Sequence, residues 1–86
     1  MDREAKLFAV LSDPVRLSIL ESLSSKKGCV SELQMRTGKT QPNISQHLRV
    51  LRDSGLVETR KDGRNVCYSV CKPEVKELLK LAKKIR

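Results

Sequence analysis

Aromatic residues are almost missing from this chain: Phe8 and Tyr68 are the whole set, 2% of the sequence, and there is no tryptophan. Proteins that hold single-stranded nucleic acid use several aromatic platforms, so that mode of recognition is excluded. Histidine is just as scarce, with His47 alone. No Ser-His-Asp order stands in a recognisable setting and no ligand cluster is spaced for a metal, which predicts a protein that is not an enzyme. The cysteines, Cys29, Cys67 and Cys71, are three and form no C-x-x-C pair. They fit neither a disulfide framework nor a structural zinc site, and reduced thiols are expected. Long apolar runs are lacking too. The N-terminal MDREAKLFAVL mixes both signs of charge with one short apolar run, which is neither a secretory signal nor a membrane span and points to the cytoplasm. With no repeat or linker, residues 1–86 are expected to pack as a single domain.

Positive charge is what the sequence has in excess. Its 18 Lys and Arg against 10 Asp and Glu give +8 over 86 residues, a balance that draws a protein towards a polyanion. A chain this short has a small core for its surface and gains from a partner subunit. The run RTGKTQPN, Arg36–Asn43, carries the letters GKT of a phosphate-binding loop. Such a loop needs a glycine five positions before the GK glycine and a buried strand ahead of it. Leu33 holds that position, and Ser31–Arg36 is polar at helical spacing, so a nucleotide-binding loop is rejected.

Apolar spacing predicts five helices and two strands, in the order α-α-α-α-β-β-α. A first amphipathic helix over Arg3–Leu11 places Leu7, Phe8 and Leu11 together. Asp13 as cap and Pro14 at the first position start a second, whose stripe is Val15, Ile19, Leu20 and Leu23. A short third helix ends at Gly38 and buries Leu33 with Met35 or Val30; either Cys29 with Glu32 or Ser31 with Gln34 can form its reciprocal cap. In the fourth, at about 100° per residue, Ile44, Leu48 and Leu51 face the core, Pro42, Gln46 and Arg49 point away, and Asn43 and Ser45 lie on the shoulders. Strands over Leu56–Arg60 and Asn65–Val70 flank Lys61-Asp-Gly-Arg64, which has the Asp-Gly signature of a tight hairpin. After Pro73 the last helix, about 73–86, lines up Val75, Leu78, Leu79, Ala82 and Ile85, an apolar stripe that wants a partner.

A short helix, a turn containing Gly38 and a second helix with small polar residues at its front make a helix-turn-helix over about 30–53. Gln41, Asn43, Ser45 and Gln46 are types that read base edges through amide or hydroxyl groups. Thr40, Arg49, Arg52, Arg60, Lys61 and Arg64 suit phosphate, the last three on the hairpin at about 56–70. The expected partner is double-stranded DNA, bound in a sequence-specific way. A winged helix used as a protein-interaction module is the alternative class, since fold does not fix function, and the cationic face opposes it. Non-specific compaction of DNA fits the charge and leaves the groove-facing amides without a use.

The run Leu11-Ser-Asp-Pro-Val-Arg-Leu-Ser-Ile-Leu20 resembles the opening of the arsenic-repressor-like (ArsR-type) winged-helix regulators. Gln41-Pro-Asn-Ile-Ser-Gln-His-Leu-Arg-Val-Leu-Arg-Asp-Ser-Gly-Leu-Val57 is similar to their recognition helix and the step into the wing, and Gly63–Val70 to the second wing strand. The resemblance implies a mainly α fold with a β-hairpin wing (α+β). It also implies a homodimeric transcriptional regulator, usually a repressor, joined through its first and last helices. Leu7, Phe8, Leu11, Val75, Leu78, Leu79, Ala82 and Ile85 would form that seam. Two recognition helices related by a dyad would then meet a pseudo-palindromic operator.

Many of these regulators sense metals. Cys29-Val30-Ser31 resembles the family's Cys-Val-Cys site without its second thiolate, and a second site, His and carboxylate ligands along the last helix, finds no histidine there. No metal site and no cofactor is expected, and any effector is unknown. His47 reads as a packed, hydrogen-bonded residue. Cys67 and Cys71 are about 13 Å apart along a strand and cannot chelate one ion; they read as small buried hydrophobes, or one of them pairs across the dimer. Cys29, as a helix cap, is the candidate for a redox-responsive version of the same regulator.

Overall fold

The computed structural model describes residues 1–85; Arg86, the last residue of the predicted final helix, lies outside them. The order is α1 (Asp2–Leu11), α2 (Pro14–Ser25), β1 (Gly28–Cys29), α3 (Val30–Thr37), α4 (Gln41–Asp53), β2 (Val57–Asp62), β3 (Asn65–Val70) and α5 (Pro73–Ile85). This is a winged helix-turn-helix: mainly helical, with a small antiparallel sheet. The predicted order lacked β1. Two residues carry no alternation to detect, and β1 exists because β3 offers it an edge, giving a three-stranded sheet in the order β1-β3-β2.

The helix starts follow from their caps. Asp13 Oδ1 accepts from the Val15 and Arg16 N–H groups at 2.8 and 3.1 Å, with Pro14 behind it. These bonds, the Arg16 N–H first, hold the Asp13 carboxyl below its ordinary range. The open question at α3 resolves to Cys29 and Glu32: Glu32 Oε1 accepts the Cys29 N–H at 3.1 Å. That N–H, followed by the Cys29 side chain and with Arg36 adding, lowers the Glu32 carboxyl as well. Gly38 closes α3 at φ +73°, where a side chain would be strained. In the hairpin Asp62 pairs with Asn65, leaving Gly63 and Arg64 as the two-residue turn; Gly63 takes φ +65°, as the first position of a tight turn needs. β2 therefore runs to Asp62, two residues past the predicted end, because the turn is that short.

The core is Leu11, Ile19, Leu20, Leu23, Leu33, Ile44, Leu48, Leu51, Leu56, Val57 and Val75. It contains the stripes predicted for α2 and α4 apart from Val15, which packs against its edge. Val30 also packs there, whereas Met35 is 87% exposed. In an eight-residue helix the face that buries Leu33 leaves Met35 on the far side. Two residues of the predicted subunit seam are corrected: Leu11 and Val75 are buried in the protomer's own core and are not free to meet a partner. Along the sheet, Val57, Tyr68 and Val70 turn towards the helices, while Cys29, Cys67, Ser69, Glu58 and Arg60 alternate onto the outer face. No helix among the described residues is long and apolar enough to cross a membrane.

Candidate nucleic-acid interface

The turn between α3 and α4 is three residues, Gly38-Lys39-Thr40, locked by its own polar groups. The Gly38 N–H reaches Gln34 O at 2.8 Å, Thr37 Oγ1 donates to Leu33 O at 2.7 Å and accepts the Lys39 N–H at 3.2 Å. Thr40 Oγ1 accepts the Asn43 N–H at 3.3 Å and caps α4, with Pro42 in its first turn. The cap leaves the Thr40 hydroxyl hydrogen available to a phosphate oxygen. Because Ile44, Leu48 and Leu51 are fully buried, the rotation of α4 about its axis is set, and Gln41, Pro42, Gln46, Arg49 and Arg52 all stand in solvent.

The four residues expected to read bases are not presented alike. Gln46 is exposed and makes no hydrogen bond among the described residues. Gln41 is exposed, and its Nε2 donates to Ser45 Oγ at 2.9 Å, an arrangement that holds both side chains at the front of the helix. Ser45 is half-buried. Asn43 is half-buried as well, and its Oδ1 is buried with no hydrogen-bond partner. The shoulder position of residue 43 turns the Oδ1 of its amide inward while the residue stays part-exposed.

The cations expected to hold phosphate are Arg49 and Arg52 on α4, Arg60 and Lys61 at the end of β2, and Arg64 in the turn; all are exposed. The ion pairs among the described residues are Met1–Glu4, Arg36–Glu32 and Lys83–Glu21, and His47 Nε2 lies 4.0 Å from Asp13 Oδ1. None involves the arginines and lysines of α4 or the wing, so no carboxylate among the described residues neutralises them. Lys39 and Lys27 add to the set and were not singled out from the sequence. Lys39 is exposed beside the start of α4, and Lys27 lines a cavity of about 220 Å³ on the wing together with Arg60, Lys61, Asp62, Cys67, Tyr68 and Ser69. Lys39 was within reach of sequence reasoning, being in the predicted turn. Lys27 was not, because only the pairing of β1 with β3 brings it to the wing.

Behind the interface, His47 is packed, with Nδ1 3.4 Å from Arg16 Nη1 and Nε2 4.0 Å from Asp13 Oδ1. Arg16 Nε also donates to Val10 O at 2.7 Å. One guanidinium thus ties the end of α1 and the start of α2 to α4. No three His, Cys, Asp or Glu side chains among the described residues come together as a metal would need.

A second exposed surface lies on α1 and α5. Phe8 is 58% exposed, Leu81 54% and Ile85 84%, Ala82 is exposed, and Leu78 and Leu79 are half-buried. Leu81 was missing from the predicted seam. Leu7 of α1 and Val75 and Leu78 of α5 line one cleft of about 200 Å³, so the two helices share a face.

The family profile described as "Bacterial regulatory protein, arsR family" matches residues 13–59, from the cap of α2 into β2. The chain is 40% identical over 83 residues to the HTH-type transcriptional regulator Rv0081 of Mycobacterium tuberculosis, covering 95% of this chain and 73% of the relative. The crystal structure of Rv0081 superposes with a TM-score of 0.89 over 95% of this chain and 83% of that one. Identity to a probable mercury resistance operon repressor of Streptomyces lividans is 38%, over 95% of this chain and 66% of the relative. The homodimeric winged helix-turn-helix DNA-binding domain Mb0332 of Mycobacterium bovis, a solution structure, is 28% identical with a TM-score of 0.87, covering 98% of this chain and 78% of that one. With profile, relatives and architecture in agreement, this chain belongs to the ArsR family of bacterial regulatory proteins and is a DNA-binding transcriptional regulator.

Proposed function

We propose that two copies of this chain, joined through α1 and α5, bind a pseudo-palindromic duplex operator and repress transcription from it. The observation that carries this reading is the coexistence, on α4 and the wing, of exposed amides with arginines and lysines that no carboxylate among the described residues engages. Residues 1–86 then act as one winged-helix unit: the helix-turn-helix, about 30–53, enters the major groove; the wing, about 56–70, lies against the adjacent backbone; the last helix, about 73–86, pairs the subunits. Gln41 and Gln46 read bases most directly, while Ser45 and Asn43 contribute from the shoulders. Thr40, Arg49, Arg52, Arg60, Lys61 and Arg64 hold phosphates and set the register. The dyad places the half-sites about one helical turn apart, near 34–36 Å. Repression follows if the occupied site overlaps that of the transcription machinery, and the chain works in the cytoplasm, where the chromosome is.

The decisive experiment selects bound sequences from a random duplex pool and then titrates the winner and a scrambled duplex at two salt concentrations. An enriched inverted repeat, bound by two chains, with affinity that falls steeply with salt, is the expected result. Enrichment of no sequence, or stoichiometric binding by a single chain, would overturn the reading.

A further inference from the structure

Cys29 and Cys67 stand directly opposite each other where β1 pairs with β3. How closely they approach is decided by the backbone. The Cys71 N–H donates to Leu56 O at 3.1 Å, and bonding alternates along an antiparallel strand, so Ser69 and Cys67 also turn their N–H and C=O towards β2. Cys67 accordingly exchanges backbone bonds with Arg60, while Cys29 gives its N–H to Glu32 Oε1. The Cys29–Cys67 pair is therefore of the non-hydrogen-bonded kind, with Cα atoms about 4.5 Å apart and side chains close. A disulfide spans Cα separations of about 4.4–6.8 Å. Both thiols are free, part-exposed and on the outer face of the sheet. Cys29 Sγ rests 3.1 Å from Ser31 Oγ, an exposed contact. Cys67 also lines the wing cavity, which admits small solutes to this face. Cys71 is placed differently, its Sγ donating to Gly55 O at 3.2 Å.

We propose that Cys29 and Cys67 form a reversible intramolecular disulfide, an oxidant-responsive site that controls the DNA-binding surface. With hydrogen peroxide as oxidant, one thiolate attacks an oxygen, the O–O bond breaks, and a sulfenic acid forms as water leaves. The second sulfur then displaces that oxygen as a second water, and the S–S bond closes. Two thiols have lost two electrons and two protons, and one peroxide has become two waters. A small thiol reverses the bond by exchange, two thiol molecules being oxidised to their own disulfide. Cys29 caps α3 and Cys67 lies in the middle of the wing, so the bond staples the first helix of the helix-turn-helix to the hairpin and constrains how far apart the cations of α4 and of the wing can sit. The control rests on the duplex-binding reading above; the bond itself does not.

The test treats the full chain with hydrogen peroxide, alkylates the remaining thiols and maps peptides without reduction. The expected product is a Cys29–Cys67 linked peptide within one chain, lighter by two hydrogens, cleaved by added thiol, with Cys71 alkylated. On the selected operator duplex, oxidised and reduced protein should differ in affinity by about fivefold or more. The difference should vanish in Cys29→Ser and in Cys67→Ser and persist in Cys71→Ser. Free alkylation of both Cys29 and Cys67 after peroxide, or links that form only between chains, would overturn the site. A mapped bond with equal affinities in the two states would overturn the control. Absence of duplex binding in both states would count against the proposed function, while the peptide map still decides the bond.

Discussion

Helices α4 and α5 are each 13 residues long, each amphipathic, and they end in opposite situations. In α4 the whole apolar stripe, Ile44, Leu48 and Leu51, is consumed by the protomer's own core. In α5 only Val75 is buried, and Leu81 and Ile85 are left in solvent. A helix whose apolar face is spent has a fixed rotation and can offer its polar face to a ligand with accuracy. A helix whose apolar face is unspent gains by burying it against another surface. On the proposed reading the same amphipathic design serves recognition in α4 and assembly in α5, and the difference is set by how much of each stripe the single chain can cover.

The comparison can be broken most forcefully at α5. Replacing Leu81 and Ile85 together by Glu should leave the isolated fold intact, abolish dimerisation in sedimentation, and lower operator affinity by about 100-fold or more, the avidity of two half-sites being lost. A double variant that stays dimeric would place the subunit seam elsewhere. Next in size is α4 seen from its buried side. Leu48→Ala should cost about 2–5 kcal/mol in urea unfolding, the range for truncating a fully buried leucine. Ile85→Ala, at 84% exposure, should change the unfolding of the monomeric form by no more than about 0.5 kcal/mol.

The outer side of α4 and the wing separate specificity from attraction. Gln46→Ala should cost about 1–3 kcal/mol at the cognate site and relax preference at one base pair. Arg64→Ala should weaken all duplexes alike and reduce the salt slope by about one. Unchanged base preference for the first, or an unchanged salt slope for the second, would take that residue out of its role. The smallest effect concerns pH. Asp13 and Glu32 both titrate below their ordinary carboxylate values in the folded chain. Their contribution to stability is therefore present above the unfolded values of 3.8 and 4.5 and is lost as pH falls through the lowered folded values. Asp13→Asn and Glu32→Gln should lower stability slightly at neutral pH and leave the acid end little changed, which flattens the acid limb of a stability-versus-pH curve.

Much of the fold was legible because its signals are local. Asp13-Pro14 marked a helix start, Gly38 a helix end, Asp62-Gly63 a hairpin, and the spacing of Ile44, Leu48 and Leu51 identified which face of α4 is free. What escaped was non-local. β1 is two residues borrowed by the edge of β3. Nothing local marks Arg16, yet it bonds Val10 O in the preceding helix and approaches His47, 31 residues away. Leu11 and Val75 carry the same apolar signal as Phe8 and Ile85, and nothing in their spacing says which pair the protomer keeps. Asn43, on the helix shoulder, had its side assigned only to within the width of a helical wheel.

Sequence alone determined the helices, the wing, the excess of positive charge and the polar front of α4, because periodicity, capping and turn chemistry act over a few residues. Only the tertiary structure decided which apolar side chains are left over, which cations are left unpaired, and that Cys29 meets Cys67. Those depend on distances between segments far apart in the chain, which are set when the helices and the sheet close on a shared core.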